Sequence, residues 1–156
     1  MRIIGLKNSK ETALVDEADF PKLGGLNWFL LPARTKYAYR VENGKTIYMH
    51  REILRAQKNE LVDHANGDGL DNRRENLRLC SHSQNMQNRK MGKNNTSGYR
   101  GVHFVAQRGK WRVQIRIGGK RIYLGDFHDK IKAAEKYNSA AQTLFKGFAR
   151  LNQFPL

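Results

Sequence analysis

The run from Asp63 to Asn85, DHANGDGLDNRRENLRLCSHSQN, constrains this chain more than any other feature, because it packs acid/base, metal-ligating and turn-forming residues into one compact segment. Asp63 and His64 follow the apolar pair Leu61 and Val62. At the end of a strand, adjacent side chains leave on opposite faces, so one is placed to hold a cation while the other handles a proton. Asn66-Gly67-Asp68-Gly69 then supplies glycines for positive φ and Asx side chains that bond their own backbone, the ingredients of a tight reversal. Leu77 and Leu79 are expected in the core. Ser81 followed three residues later by Gln84 is a capping-box pattern. It predicts a helix beginning near His82, with Asn85 in its first turn facing back toward Asp63.

The segment resembles the HNH endonucleases, in particular the phage intron-type homing enzymes, whose core is a two-stranded hairpin and a helix clasping one metal ion. On that resemblance His64 falls on the first motif histidine and Asn76 on the motif asparagine. Asn85 falls on the third motif position, where this chain has Asn in place of His, as in the phage subgroup. Asp63 falls on the metal-binding acid. The roles implied are His64 as general base, Asn76 offering its side-chain carbonyl to the other ring nitrogen, and Asp63 with Asn85 as oxygen ligands to one divalent cation. All-oxygen ligation favours Mg²⁺ or Mn²⁺ over zinc. His50, in the context Tyr-Met-His-Arg, matches a histidine seen upstream of such cores and is expected to be structural. Asp71 and Asn72 are expected to hydrogen-bond within the hairpin, and His82 to meet solvent or phosphate. Arg73, Arg74 and Arg78 are placed as backbone contacts near the cut site.

Charge says what kind of partner to expect. Lys and Arg number 29 against 14 Asp and Glu, a net charge of +15, typical of a polyanion binder. By segment the net charge is +3 over 1–50, +3 over 51–96 and +9 over 97–156, so the excess lies toward the C-terminal end. The single cysteine, Cys80, rules out a disulfide framework and a CxxC zinc knuckle, and fits a reducing compartment. The sequence shows neither a signal pattern nor an apolar run of membrane-spanning length. The expectation is a phage-type intracellular protein of a bacterial cytoplasm, with double-stranded DNA as its partner and no membrane or small-molecule cofactor.

Residues 1–50 read as short strands with a brief helix: Arg2 to Gly5, Thr12 to Val15, a helix from Glu17 to Leu23, then Trp28 to Leu31 and Tyr37 to Val41. Asn43-Gly44 marks a hairpin turn into Thr46 to Tyr48. This portion is expected to buttress the next, with Arg34, Lys36, Arg40 and Lys45 within reach of DNA. A short helix from Met49 to Arg55 is expected to run into the loop before Leu61, and residues 51–91 are expected to hold the nuclease core. Residues 92–97, around Gly92, Lys93 and Asn94, suit a linker.

Residues 98–156 read as a second unit. Three strands, Tyr99 to Phe104, Lys110 to Ile117 and Lys120 to Leu124, are followed by an Asp129-capped helix ending near Gly147. Trp111, Val113, Ile115 and Ile117 alternate with Arg112, Gln114 and Arg116, giving one apolar and one basic face. Ala133, Ala134, Tyr137, Ala140, Ala141 and Leu144 fall on one side of the helix and pack against the apolar face. Through Tyr99-Arg100-Gly101-Val102, Lys110-Trp111, Leu124-Gly125-Asp126-Phe127, Ala133-Ala134 and Leu151-Asn152, this unit is similar to the plant ethylene-response-factor (APETALA-type) DNA-binding domain. The resemblance implies DNA contacts from Arg100, His103, Trp111, Gln114, Arg116 and Tyr123. Independently of it, Arg108, Lys110, Arg112 and Arg121 lie in an acid-free stretch from Ser97 to Gly125 that reads as phosphate-facing.

Together these readings predict an α+β fold: a ββα-metal nuclease core behind a small β-rich segment, then a three-stranded antiparallel sheet packed on one helix. The function expected is that of a homing-type DNA endonuclease, acting as a monomer on an asymmetric site. The alternative is a DNA-binding regulatory protein with an inactive core; RNA is a weaker target, since no aromatic base-stacking platform is evident.

Overall fold

A computed structural model describes residues 1–33, 35–89, 91–92 and 94–155. Arg34, expected near DNA, and Lys93, expected in the linker, lie outside the described residues. The fold is α+β and divides into two compact units, 1–85 and 86–156. Among the described residues no helix is long and apolar enough to cross a membrane.

The first unit opens with the antiparallel pair β1 (Arg2–Gly5) and β2 (Thr12–Val15), then the four-residue helix α1 (Phe20–Leu23). The helix is shorter than the expected run from Glu17 to Leu23. A three-stranded sheet follows in the order β3 (Phe29–Leu31), β4 (Tyr37–Glu42), β5 (Lys45–Tyr48). Its hairpin turn is Asn43-Gly44, with φ of 50° and 71° at the two central positions, the left-handed pair that matches strand twist. Helix α2 (Met49–Leu54) leads to the hairpin β6 (Leu61–His64) and β7 (Leu77–Cys80), and α3 (His82–Asn88) follows it. Ser81 Oγ accepts from the Gln84 amide at 3.2 Å while Gln84 Oε1 accepts from the Ser81 amide at 2.8 Å, so both halves of the capping box are made.

One core serves the whole unit. Trp28, Met49, Ala13 and Val15 are completely buried with Leu23, Leu70 and Leu77, so residues from 1–50 and from the loop between β6 and β7 share one apolar interior. Removing an aromatic ring as deeply buried as Trp28 typically costs about 3–5 kcal/mol. Leu79, expected in the core, is instead 46% exposed: it shares a strand face with buried Leu77 but lies one residue from the end of β7.

In the second unit, β8 (Val102–Val105), β9 (Lys110–Ile117) and β10 (Lys120–Phe127) form an antiparallel sheet with β9 central. A bulge between Tyr123 and Gly125 lets β10 continue past the expected end at Leu124. Helix α4 (Lys130–Phe145) is capped by Asp129, whose carboxylate accepts from the Lys132 amide at 2.8 Å. Ala133, Ala134 and Ala141 bring α4 close onto Val102, Val113 and Ile115. Gly101 belongs to the same contact: at φ 72° it would place a Cβ 2.1 Å from the Tyr137 ring. Leu144, expected on the buried side of α4, is 39% exposed, and Phe145 takes that place.

The expected linker is partly structured. Ser97 is buried, its hydroxyl donating to Val102 O at 2.7 Å, and Asn95 Oδ1 accepts from the Gly98 amide at 2.7 Å. Asn152 pins the C-terminal segment by accepting from the Arg100 amide and donating to the Arg100 carbonyl.

Candidate active site

The register of the β6–β7 hairpin sets the site. Asp63 lies opposite Arg78 and His64 opposite Leu77, so the two neighbouring side chains occupy opposite faces of the strand. Both are buried. Arg78 donates from Nε at 2.9 Å and from Nη2 at 2.7 Å, both to Asp63 Oδ2. Arg78, expected on the DNA backbone, is held by the cross-strand carboxylate.

The connection from residue 65 to 76 is held by its own Asx residues and by the N-terminal segment. Asn66 Oδ1 accepts from the Asp68 amide and Asp68 Oδ1 from the Leu70 amide, which tightens the reversal. Gly69 lets it lie against the backbone of β4's approach, since a Cβ there would meet Lys36 O at 2.1 Å. Strand β2 clasps the loop from the side: the Leu14 amide donates to Leu70 O and the Asn72 amide to Leu14 O, both at 2.8 Å. Arg74 donates from Nε and Nη2 to the two oxygens of Asp19 at 2.8 and 2.7 Å, while its amide donates to Asp16 Oδ2. Arg73 makes the same bidentate grip on Asp71 at 2.8 and 2.7 Å. That partnership holds the Asp71 carboxyl below the usual carboxylate range, against the opposing effect of burial. Arg73 and Arg74, expected on DNA phosphates, thus brace the loop.

Asn76 also departs from its expected role. Its Oδ1 accepts from the Asn66 amide at 2.9 Å and its Nδ2 donates to Asp71 O at 2.7 Å, so its amide closes the loop and its carbonyl is not directed to the imidazole. The side chain that meets His64 is Asn72, whose Oδ1 lies 3.4 Å from Nε2. Asn72 is among the residues expected to hydrogen-bond within the hairpin. The signal that could have singled it out is the asparagine of the Asp71-Asn72 pair, eight residues beyond His64.

Rings enclose the imidazole. The His50 ring centroid is 5.0 Å from that of His64 in a T-shaped contact, and Tyr37 is 5.8 Å away. Burial pushes the His64 pKa down, opposed by the Asn72 contact and by the charges of Asp63, Asp68 and Asp71, so the ring is neutral near pH 7. His50 packs against Tyr37, Tyr48 and His64, as a structural residue does, and its Nδ1 is buried without a hydrogen-bond partner among the described residues. Burial, then the charges of His64 and Arg51, push its pKa down to about 3.

The donor set bears on the expected ion. Among the described residues no group of three or more His, Cys, Asp or Glu side chains is assembled to hold a metal. Asp63 offers a carboxylate with about four acceptor sites, one oxygen of which already takes two bonds from Arg78. Asn85, half-buried in the first turn of α3, offers an amide oxygen. A carboxylate and an amide oxygen are the kind of hard donors that an ion of the Mg²⁺ type would take.

In the second unit the register places His103, Arg112, Gln114, Arg116, Arg121 and Tyr123 on the face opposite α4, along with Lys110. His103, Arg116, Arg121 and Tyr123 are exposed, and Gly101, His103, Gln114, Arg116 and Arg121 line a shallow depression. Four of the expected contacts have partners within the protein. Trp111 lies on the α4 side, beside Phe104 at 5.0 Å and partly buried against the core. Arg100 is half-buried, donating to Arg89 O and packing near Tyr137, and burial lowers its pKa. Arg112 donates to Asp126 at 2.8 and 2.9 Å, and Arg108 reaches the same carboxylate at 3.1 Å. The bulge that extends β10 delivers this acid, just beyond the acid-free stretch, opposite Arg112.

Comparison with known proteins bears on the same stretch of the chain. Residues 55–87 match the sequence profile described as HNH endonuclease, so the β6–β7 hairpin and nearly all of α3 form an HNH endonuclease domain. A 64-residue stretch is 36% identical to "Protein 3.8" of Escherichia phage T7, covering 41% of this chain and 53% of that protein. The chain thus spans about half the length of this curated relative. No solved structure matches.

Proposed function

We propose that this chain is a homing-type endonuclease that hydrolyses DNA phosphodiester bonds, acting as a monomer, with chemistry at His64 and DNA docking on the open sheet face of the second unit. The observation that carries this reading is a buried, neutral imidazole next in sequence to a buried carboxylate, on a hairpin followed by a capped helix, inside the segment that matches HNH endonucleases. Phosphodiester hydrolysis needs a proton acceptor for the attacking water, in-line placement, and relief of charge on the leaving 3′ oxygen. His64, neutral at physiological pH, accepts the proton. Asp63 and Asn85 would hold a divalent cation, Mg²⁺ or Mn²⁺. Bound there, it would supply charge neutralisation at the scissile phosphate. Arg78 fixes the Asp63 carboxylate, and Asn76, Arg73 and Arg74 keep the loop closed around the imidazole. In the second unit Arg116, Arg121, His103, Gln114 and Tyr123 meet the duplex.

One observation favours a second reading, a DNA-binding regulator with an inactive core: the Arg78 guanidinium on Asp63 Oδ2 competes with a cation for that carboxylate. Plasmid nicking with Mg²⁺, Mn²⁺ or a chelator separates the two. The nuclease reading expects metal-dependent nicking that His64→Ala lowers on the order of 10³-fold while DNA affinity is kept. Tight DNA binding with no nicking by the wild-type chain in either metal would establish the regulator.

A further inference from the structure

The face of the His64 ring is fixed by packing, but which of its nitrogens takes a proton depends on what the other one touches. Asn72 decides this. The residue is completely buried, and its backbone is held from outside the loop by the Leu14 carbonyl at 2.8 Å. Its side-chain Nδ2 donates to Leu70 O at 3.1 Å. Exchanging the two ends of the amide would set Oδ1 against that carbonyl, two acceptors at hydrogen-bond distance, so the amide has one tenable orientation. Its oxygen therefore faces His64 Nε2 at 3.4 Å. An amide oxygen only accepts. Nε2 must then carry the hydrogen, and the lone pair of the neutral ring resides on Nδ1. The contact is at the long end for a hydrogen bond and contributes modestly to stability. A polar side chain with no exposed surface is nonetheless costly to keep unless its groups are matched, and both ends of this one are.

We propose that Asn72 is the positioning residue of the site: by accepting from Nε2–H it holds His64 in the tautomer whose Nδ1 receives the proton. This deepens the nuclease reading and rests on it for its kinetic consequence alone. Asn76 is committed to the loop backbone and does not share the task.

The test is a ¹⁵N-histidine NMR measurement of tautomers on the intact chain near neutral pH, with the His64 signals among the five histidines assigned by their loss in His64→Ala. The wild-type ring is expected as the Nε2–H tautomer, and Asn72→Leu, similar in size but without the acceptor, is expected to show a mixture. Alongside it, kcat for DNA cleavage by Asn72→Leu falls on the order of 10²-fold with KM unchanged. A wild-type Nδ1–H tautomer overturns the proposal, and so does a folded Asn72→Leu with wild-type tautomer and kcat. Should the variant fail to fold, the wild-type tautomer decides alone. That measurement needs no turnover, so a chain that does not cut DNA would refute the nuclease reading while leaving the orientation of His64 to be judged separately.

Discussion

The two units use arginine for opposite purposes. Residues 1–85 carry 14 Lys and Arg against 11 Asp and Glu, and residues 86–156 carry 15 against 3. In the first unit Arg40, Arg73, Arg74 and Arg78 each grip a carboxylate, and three of those carboxylates, Asp19, Asp63 and Asp71, are buried. In the second unit one acid, Asp126, takes Arg108 and Arg112, while Arg116 and Arg121 stay exposed with no ion pair among the described residues. Arginine beside a catalytic loop is thus a poor indicator of substrate contact when acids are near in number. The same residue in cationic surplus on an open sheet face is a good one.

This contrast can be broken by experiment. The largest binding effect is expected from Arg116→Ala/Arg121→Ala: DNA affinity drops at least about tenfold, and the slope of log K against log salt falls by about 2. Arg73→Ala should leave that slope where it is. Competition binding over a salt series reads both, and an equal change of slope in the two variants would dissolve the distinction between the units.

The next effect concerns acid stability of the first unit. Unfolded, the His50 ring takes a proton as pH falls through about 6.5; folded, burial delays this to about 3. The unfolded chain binds more protons in that window, so stability declines as pH falls across it, by about 2 kcal/mol at pH 5 from this ring. His50→Leu removes that contribution. Denaturant melts of the two proteins at pH 7 and pH 5 should converge toward the acid side, and parallel losses would show that His50 is not responsible.

A smaller effect is predicted for Arg74→Ala. Losing the paired bonds to Asp19 should lower stability by about 1–2 kcal/mol, with much of the side chain exposed and screened. DNA affinity should not move. If affinity falls and stability holds, Arg74 belongs with the second unit's arginines after all.

Local pattern carried much of the fold. The Asn43-Gly44 turn, the Ser81–Gln84 box, the Asp129 cap and the alternation through β9 each depend on residues a few positions apart, and each formed. What was not legible depends on partners far along the chain. Arg74 meets Asp19 across 55 positions, and Asn72 is set by Leu14. Asn76 and Asn72 are chemically the same donor and acceptor, and only the path of the loop decides which reaches His64 and which reaches Asn66. The acid that takes Arg112 arrives through a bulge, a backbone event that the alternation of side chains does not announce.

Cutting and holding should be separable in this molecule, and single-turnover cleavage of plasmid DNA in Mg²⁺ or Mn²⁺ with protein in saturating excess measures this most directly. With binding saturated, Arg116→Ala/Arg121→Ala should cleave at the wild-type rate and His64→Ala should leave the bound DNA intact. Cleavage by His64→Ala at the wild-type rate, or a slow chemical step in the arginine variant at saturation, would contradict the account.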